Sequence, residues 1–145
     1  MKGIAIIVCG GVGLGASAHA APGPKLENIK QIVCESTAYY EQDTPSDKTS
    51  ARGVKIFTPG SRKDVKPRPG AFLLAEFERA DGGGLKVFDN QQFYFSPVKG
   101  GKLSFDFIAD WKANGELVLG AEGVATGFIN QKGHVTELSC AILTK

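Results

Sequence analysis

The chain has 145 residues, a mass of 15.3 kDa and a formal net charge of +2. This length suffices for one domain with a sizeable core and is too short for two ordinary domains. With 42% hydrophobic and 22% charged residues, the composition is that of a globular rather than a disordered chain. The small net charge creates no global field that attracts nucleic acid, and we predict no nucleic-acid partner.

Residues 1–20 have the pattern of a secretory signal peptide. Lys2 precedes an uncharged, apolar and glycine-rich stretch, and Ala18-His19-Ala20 supplies small residues two positions apart, as signal peptidase requires. We predict cleavage after Ala20, with a cut after Ala18 as the alternative. The mature chain is then a single domain over residues 21–145, located in the periplasm or secreted.

A rival interpretation of the same segment is a dinucleotide-binding loop. Residues 11–16 match the pattern G-x-G-x-x-A, which lets the backbone approach a pyrophosphate at a helix N-terminus. Pro22 and Pro24 lie where that helix would have to run, and proline lacks the N–H that a helix interior needs. No alternation of strands and helices follows downstream, so we predict no nucleotide cofactor.

Two cysteines, Cys34 and Cys140, remain once Cys9 has left with the leader. In an oxidising compartment an even pair is most simply a disulfide, and two free thiols are the alternative. The bridge joins the first predicted strand to the last. Closing a loop of ~100 residues stabilises a fold by ~4.7 kcal/mol in the chain-entropy model.

Short strand candidates separated by turn residues follow one another along the mature chain. They are residues 29–36, 53–58, 71–79, 85–88, 92–96, 102–111, 116–119, 123–130 and 134–144, with loops predicted at 39–52 and 59–70. Leu103, Phe105 and Phe107 alternate with polar residues, which is the period of a half-buried strand. Asn114-Gly115 predicts a type I′ hairpin turn, and Lys132-Gly133 predicts a further turn.

Eight or nine short strands with regular turns indicate an all-β fold. We predict a small antiparallel β-barrel of about eight strands, with a β-sandwich as the alternative. The disulfide favours the barrel, because neighbouring first and last strands let the sheet close and lose its free edges. No segment after the leader is apolar for the ~20 residues that a membrane-spanning helix needs, so we predict no membrane span.

Catalytic groups are scarce in the mature chain. His134 is its one histidine and begins a strand, where a polar residue needs no catalytic reason. Structural zinc takes four Cys or His ligands, which this chain cannot supply, so we predict no metal. Asp106, Asp110 and Glu122 leave a carboxylate-dependent hydrolase as one alternative. Glu76 and Glu78 share one face of a strand and predict a solvated face.

A basic cluster is the most conspicuous charge feature, and five of its residues form a candidate anion-binding patch: Lys55, Arg62, Lys63, Lys66 and Arg68. The alternative is a solvated loop whose charges serve only to keep the protein soluble. We predict an exported, non-enzymatic binding or interaction module for an unknown protein or envelope component. A carrier of a small apolar ligand is a further alternative, provided that the aromatic residues surround a cavity inside the barrel.

Overall fold

The computed structural model describes residues 23–66, 68–79, 81, 84, 91–107 and 113–145. Within them the strands are β1 Ile29–Glu41, β2 Thr49–Ser50, β3 Val54–Pro59, β4 Ala71–Phe77, β5 Gln91–Phe95, β6 Lys102–Phe107, β7 Ala113–Leu119, β8 Val124–Gln131 and β9 His134–Thr144. Short 3-10 turns, Leu26–Asn28 and Ala121–Gly123, precede β1 and β8. The predicted leader at 1–20, the predicted strand at 85–88 and Asp110 lie outside the described residues.

Eight of these strands form a closed antiparallel barrel. From β3 to β9 each strand pairs with the next along the chain, while β1 pairs with both β3 and β9. The short strand β2 adds to the outside of this ring through two residues of β1, Ala38 and Tyr39. The barrel prediction is therefore confirmed over the sandwich, and closure leaves its strands paired on both sides.

A disulfide joins the strands at which the barrel closes. Cys34 on β1 and Cys140 on β9 are direct cross-strand partners, with their Cα atoms 4.0 Å apart. Both face the interior and are buried. The predicted link between the first and last strands is confirmed, and it spans a sequence separation of 106 residues.

The first barrel strand is longer than its sequence pattern predicted. The chain stays extended through Glu41, and Tyr39 and Tyr40 pair with β9 where a loop was expected. A β-bulge opposite Glu137 and Leu138 leaves Thr37 without a register partner in β9. A bulge bends its strand, and this one lies in the half of β1 that pairs with β2 rather than β3.

The prediction of a hairpin turn at Asn114-Gly115 is wrong, because both residues lie within β7. Gly115 faces the interior beside Phe105, and a Cβ atom at this glycine would lie 2.2 Å from Phe105 Cζ. The glycine therefore serves close packing rather than a turn. The second predicted turn is confirmed, since Lys132 and Gly133 have φ of 55° and 87°, as a two-residue type I′ turn requires.

The two ends of the barrel differ in what covers them. We call the end at which β1 begins the N-terminal end. It carries the segment 23–28 and the loops 60–70, 96–101 and 120–123. Leu26, Val98 and Leu119 pack against the core there. At the opposite end lie the loop 42–53 and the turn before His134.

Candidate functional site

The basic residues between β3 and β4 lie on a loop that folds back over the outside of the barrel. We call residues 60–70 the cationic loop; all of them except Pro67 are among the described residues. Backbone hydrogen bonds fix both of its ends, from Gly60 N to Ala71 O at 3.0 Å and from Phe95 N to Gly70 O at 2.7 Å. Its base is thus tied to β4 and β5.

Gln92 on β5 anchors the cationic loop from beneath. Its side chain is buried on the outer face of the strand. Its Oε1 accepts a hydrogen bond from the Arg62 backbone N–H at 2.9 Å, and its Nε2 donates to Gly60 O at 3.1 Å and to Phe72 O at 3.0 Å. A buried amide with its polar atoms satisfied fixes the position of the loop that supplies its partners.

An aromatic stack supports the other end of the loop. The Arg68 guanidinium lies 3.5 Å from the centroid of the Tyr94 ring. Tyr94 points outward from β5 but is buried, because the loop covers it. A guanidinium held over an aromatic face is attracted by the ring quadrupole, while the edge of the guanidinium remains open to solvent.

Charges on the cationic loop are mostly positive and exposed. Arg62 pairs with Asp64 at 2.6 Å, and this guanidinium lowers the pKa of the Asp64 carboxyl below its usual value. Lys63, Lys66 and Arg68 are exposed and form no ion pair among the described residues. Four of the five residues predicted as an anion-binding patch therefore share one loop, the cationic loop.

Lys55 does not belong with the other four. It lies on β3 with its side chain directed into the barrel, beside Glu76 of β4, and the two form an ion pair with 12% and 6% of their side chains exposed. The prediction of a solvated acidic face also fails for Glu76, whereas Glu78 is exposed. The reason in both cases is strand parity, since Lys55 shares the inward face with Phe57, and Glu76 shares it with Leu74.

Aromatic side chains fill the middle of the barrel. The rings belong to Phe57, Phe72, Phe93, Phe95 and Phe105, which are at most 3% exposed. Their centroids lie between 4.5 and 5.9 Å apart, mostly in edge-to-face or tilted pairs. Rings at this spacing pack directly against one another, so this part of the interior is filled by side chains.

Towards the opposite end the interior becomes polar. The Lys55–Glu76 pair lies there, and so do two glutamines on the inward face, Gln91 opposite Leu74 and Gln131 opposite Ala113. Gln91 Oε1 and Gln131 Nε2 are shielded from solvent and have no hydrogen-bond partner among the described residues. An unpaired buried amide atom lowers the stability of the folded state. Packing of the barrel interior therefore does not explain why polar glutamines occupy these two inward-facing positions.

Two cavities lie at the N-terminal end, one on each side of Gly23. The first, of about 770 Å³, is formed mainly by loop 120–123 together with Leu119 and Ile142. The second, of about 500 Å³, lies between the segment 23–27, the end of the cationic loop and Val98, with Phe72 among its lining residues. Both volumes fall in the range of ~300–1,000 Å³ that small-molecule sites occupy.

His134 belongs to an exposed polar cluster at the opposite end. Its Nδ1 lies 2.9 Å from the Tyr39 hydroxyl and 2.9 Å from Glu41 Oε2, and the Tyr39 hydroxyl donates to Glu41 Oε1 at 2.9 Å. The hydrogen bond to Glu41 raises the pKa of Tyr39. The cluster joins the ends of β1 and β9, and within the described residues His134 contacts a tyrosine and a glutamate rather than a serine or cysteine nucleophile.

Of the carboxylates that suggested a hydrolase, Asp106 and Glu122 are not brought together, and Asp110 lies outside the described residues. Asp106 is exposed on the outer face of β6, and Glu122 is exposed in the turn before β8, at the N-terminal end. No group of three His, Cys, Asp or Glu side chains close enough to hold a metal ion occurs among the described residues. In the same part of the chain, no helix has the length and apolarity to cross a membrane.

Gln92 and Tyr94 are the site residues that sequence reasoning missed. The run Phe93-Tyr94-Phe95 shows that one ring must leave the core, but nothing in the chain says what covers it. Comparison with protein-family models, with curated proteins and with solved structures found no match for this chain. The class of protein is therefore defined by its fold, a disulfide-closed eight-stranded antiparallel barrel with a cationic loop fixed to its outer wall.

Proposed function

We propose that this protein is an exported, non-enzymatic binding module whose cationic loop contacts an anionic partner, either a protein or an envelope component. The observation that carries the proposal is the fixation of the loop by Gln92 and Tyr94. A loop held in one conformation loses little conformational entropy on binding. Its exposed cations supply electrostatic attraction to an anionic surface, which weakens as salt increases.

Export is part of the proposal. Residues 1–20 have the pattern of a cleavable signal peptide, and the Cys34–Cys140 disulfide is compatible with an oxidising compartment. N-terminal sequencing of the protein from the periplasm or culture medium tests this step. A chain beginning at Ala21 supports it, and an intact Met1 in that fraction contradicts it.

Fluorescently labelled poly-L-glutamate is a suitable first probe for the cationic loop. The test variant is Lys63→Ser/Lys66→Ser, and the control is Lys48→Ser/Arg52→Ser at the opposite end, which removes the same charge. The control breaks the exposed Lys48–Glu137 ion pair, which solvent screens, so we expect the control to stay folded. Fluorescence anisotropy at low and moderate salt measures both.

We expect the loop variant to bind at least ~tenfold more weakly, a change of ~1.4 kcal/mol, and the control to bind like the parent protein. Equal losses in the two variants would mean that only net charge matters, and the proposal would fail. It would also fail if the parent protein did not bind the probe at low salt.

A further inference from the structure

We infer that the second cavity at the N-terminal end binds the apolar tail of a single-chain anionic amphiphile, whose head group lies between Lys25 and the cationic loop. This inference rests on the proposed function, because it assigns a ligand class to the same cationic surface. It also moves the small-ligand site away from the barrel interior, where the phenylalanine rings pack against one another.

The cavity itself has the lining that an alkyl chain requires. Leu26, Phe72 and Val98 contribute apolar side chains, and Phe72 connects the cavity floor to the buried core. Four prolines complete much of the wall: Pro24, Pro59, Pro69 and Pro97. Proline carries no backbone N–H, so these positions present apolar ring atoms without an unpaired donor. Transfer of an alkyl chain from water into such a cavity stabilises the complex in proportion to the apolar surface that it buries.

Charge around the cavity selects the head group. Lys25 and Glu27 both line it, one of each sign, and both are exposed. The adjoining wall comes from Pro69, and the residue before it is Arg68, whose guanidinium is already positioned over Tyr94. Lys66 lies two residues further back on the exposed loop. Cations therefore exceed acids on the side where the cavity meets the loop, which favours an anionic head over a neutral or cationic one.

The volume argues for a small molecule rather than a protruding side chain of another protein. About 500 Å³ lies within the range of small-molecule sites and exceeds what one aliphatic side chain fills. The first cavity, on the far side of Gly23, has Glu122 as its charged lining residue and contains no lysine or arginine. The two cavities thus differ in the charge of their lining, because Lys25 lines the second cavity and no lysine or arginine lines the first.

Amide NMR titration of the mature chain with monomeric sodium dodecanoate tests the inference. Dodecyl maltoside supplies the same tail with a neutral head, and sodium butanoate supplies the same head with almost no tail. We expect saturable shifts at Leu26, Phe72 and Val98 with dodecanoate. Dodecyl maltoside should bind at least ~tenfold more weakly, and butanoate should give no saturable shifts.

Two pairs of variants separate the tail from the head. Val98→Asp places a charge in the cavity and should abolish dodecanoate binding, whereas Val118→Asp, at an exposed position on the outer face of β7, should leave it unchanged. Lys25→Ser, which alters only an exposed side chain, should weaken dodecanoate binding ~tenfold without affecting dodecyl maltoside. Arg52→Ser is its control at the opposite end.

Absence of saturable shifts would overturn the inference, as would equal affinity for the two amphiphiles or shifts confined to the opposite end near Gln91 and Gln131. If poly-L-glutamate still binds in any of those cases, only the ligand class is wrong and the proposed function stands. If dodecanoate binds at the cavity while poly-L-glutamate does not bind the loop, the proposed function fails and the cavity remains a ligand site.

Discussion

Lys55 and Glu76 form an ion pair inside the barrel, one register step from the disulfide. The cross-strand partners Cys140, Cys34, Lys55 and Glu76 make a single inward-facing row across β9, β1, β3 and β4. Both charged side chains are almost fully removed from solvent. Desolvation of two ions offsets much of their mutual attraction, so such a pair fixes which groups face each other more than it adds stability.

This pair gives a prediction on stability. Lys55→Met or Glu76→Leu alone leaves one buried charge unpaired and should lower the free energy of unfolding by ~3–5 kcal/mol, whereas Lys55→Met/Glu76→Leu together should be neutral or stabilising by ~1–4 kcal/mol. Urea unfolding monitored by circular dichroism measures the three variants. A double variant as unstable as the sum of the two single losses would contradict this account.

Gln92 and its neighbour Gln91 allow the same substitution to be compared at a residue that binds the cationic loop and at one that does not. Gln92→Leu leaves the Arg62 N–H and the Gly60 carbonyl without their partner, and should cost ~1–3 kcal/mol while accelerating tryptic cleavage after Arg62 and Lys63. Gln91→Leu removes an amide whose Oε1 has no hydrogen-bond partner among the described residues, and should change stability by less than ~1 kcal/mol with no added cleavage. Equal cleavage rates in the two variants would show that Gln92 does not hold the loop.

Gly115 tests the packing inside the aromatic cluster. A Cβ atom there would meet Phe105 Cζ at 2.2 Å and the Phe128 carbonyl oxygen at 2.5 Å, so Gly115→Ala should cost ~1–3 kcal/mol. Adding Phe105→Leu, which replaces the ring by a smaller side chain, should restore only part of the stability lost in Gly115→Ala. The clash with the Phe128 carbonyl oxygen remains in the double variant. Thermal unfolding of the two single variants and of the double variant measures how far their effects on stability are coupled. If the two losses of stability simply add in the double variant, Phe105 is not the contact that makes Gly115→Ala unfavourable.

Tyr39 provides a prediction on pH dependence. Its hydrogen bond to Glu41 raises the pKa of the phenol above the ordinary value of about 10. Because the folded state favours the protonated phenol, the stabilisation is fully present below pH ~10 and is lost as pH rises through the folded pKa. Titration of the tyrosine ring carbons by NMR should show this shift.

Glu41→Gln is the variant that isolates the cause of the shift, and it should return the Tyr39 titration towards pH ~10. Glu137→Gln removes a carboxylate that bonds Lys48 instead, and it should leave Tyr39 unchanged. The opposite pattern, with Glu137 rather than Glu41 controlling the phenol, would refute the assignment of the hydrogen bond.

Local patterns in the chain determined its class of fold and the way it closes. Alternation along Leu103 to Phe107 requires an extended strand with one apolar face, and Lys132-Gly133 suits a turn in which both residues need positive φ. Once the predicted leader with Cys9 is set aside, two cysteines remain, one near each end, and they have a single possible intramolecular pairing. These features are decided by residue type and spacing, which is why they were predictable.

Only the tertiary structure decided the surroundings of the individual residues. Val54 to Phe57 are apolar on both faces of β3 except for Lys55, so the sequence does not show which face turns inward. Pairing with Cys34 and Glu76 settles it and carries Lys55 into the core. Gln92 becomes an anchor because the cationic loop folds over it, and Gly115 is needed because Phe105 lies beside it across the sheet. Each outcome depends on contacts between residues far apart in the chain, which local spacing does not determine.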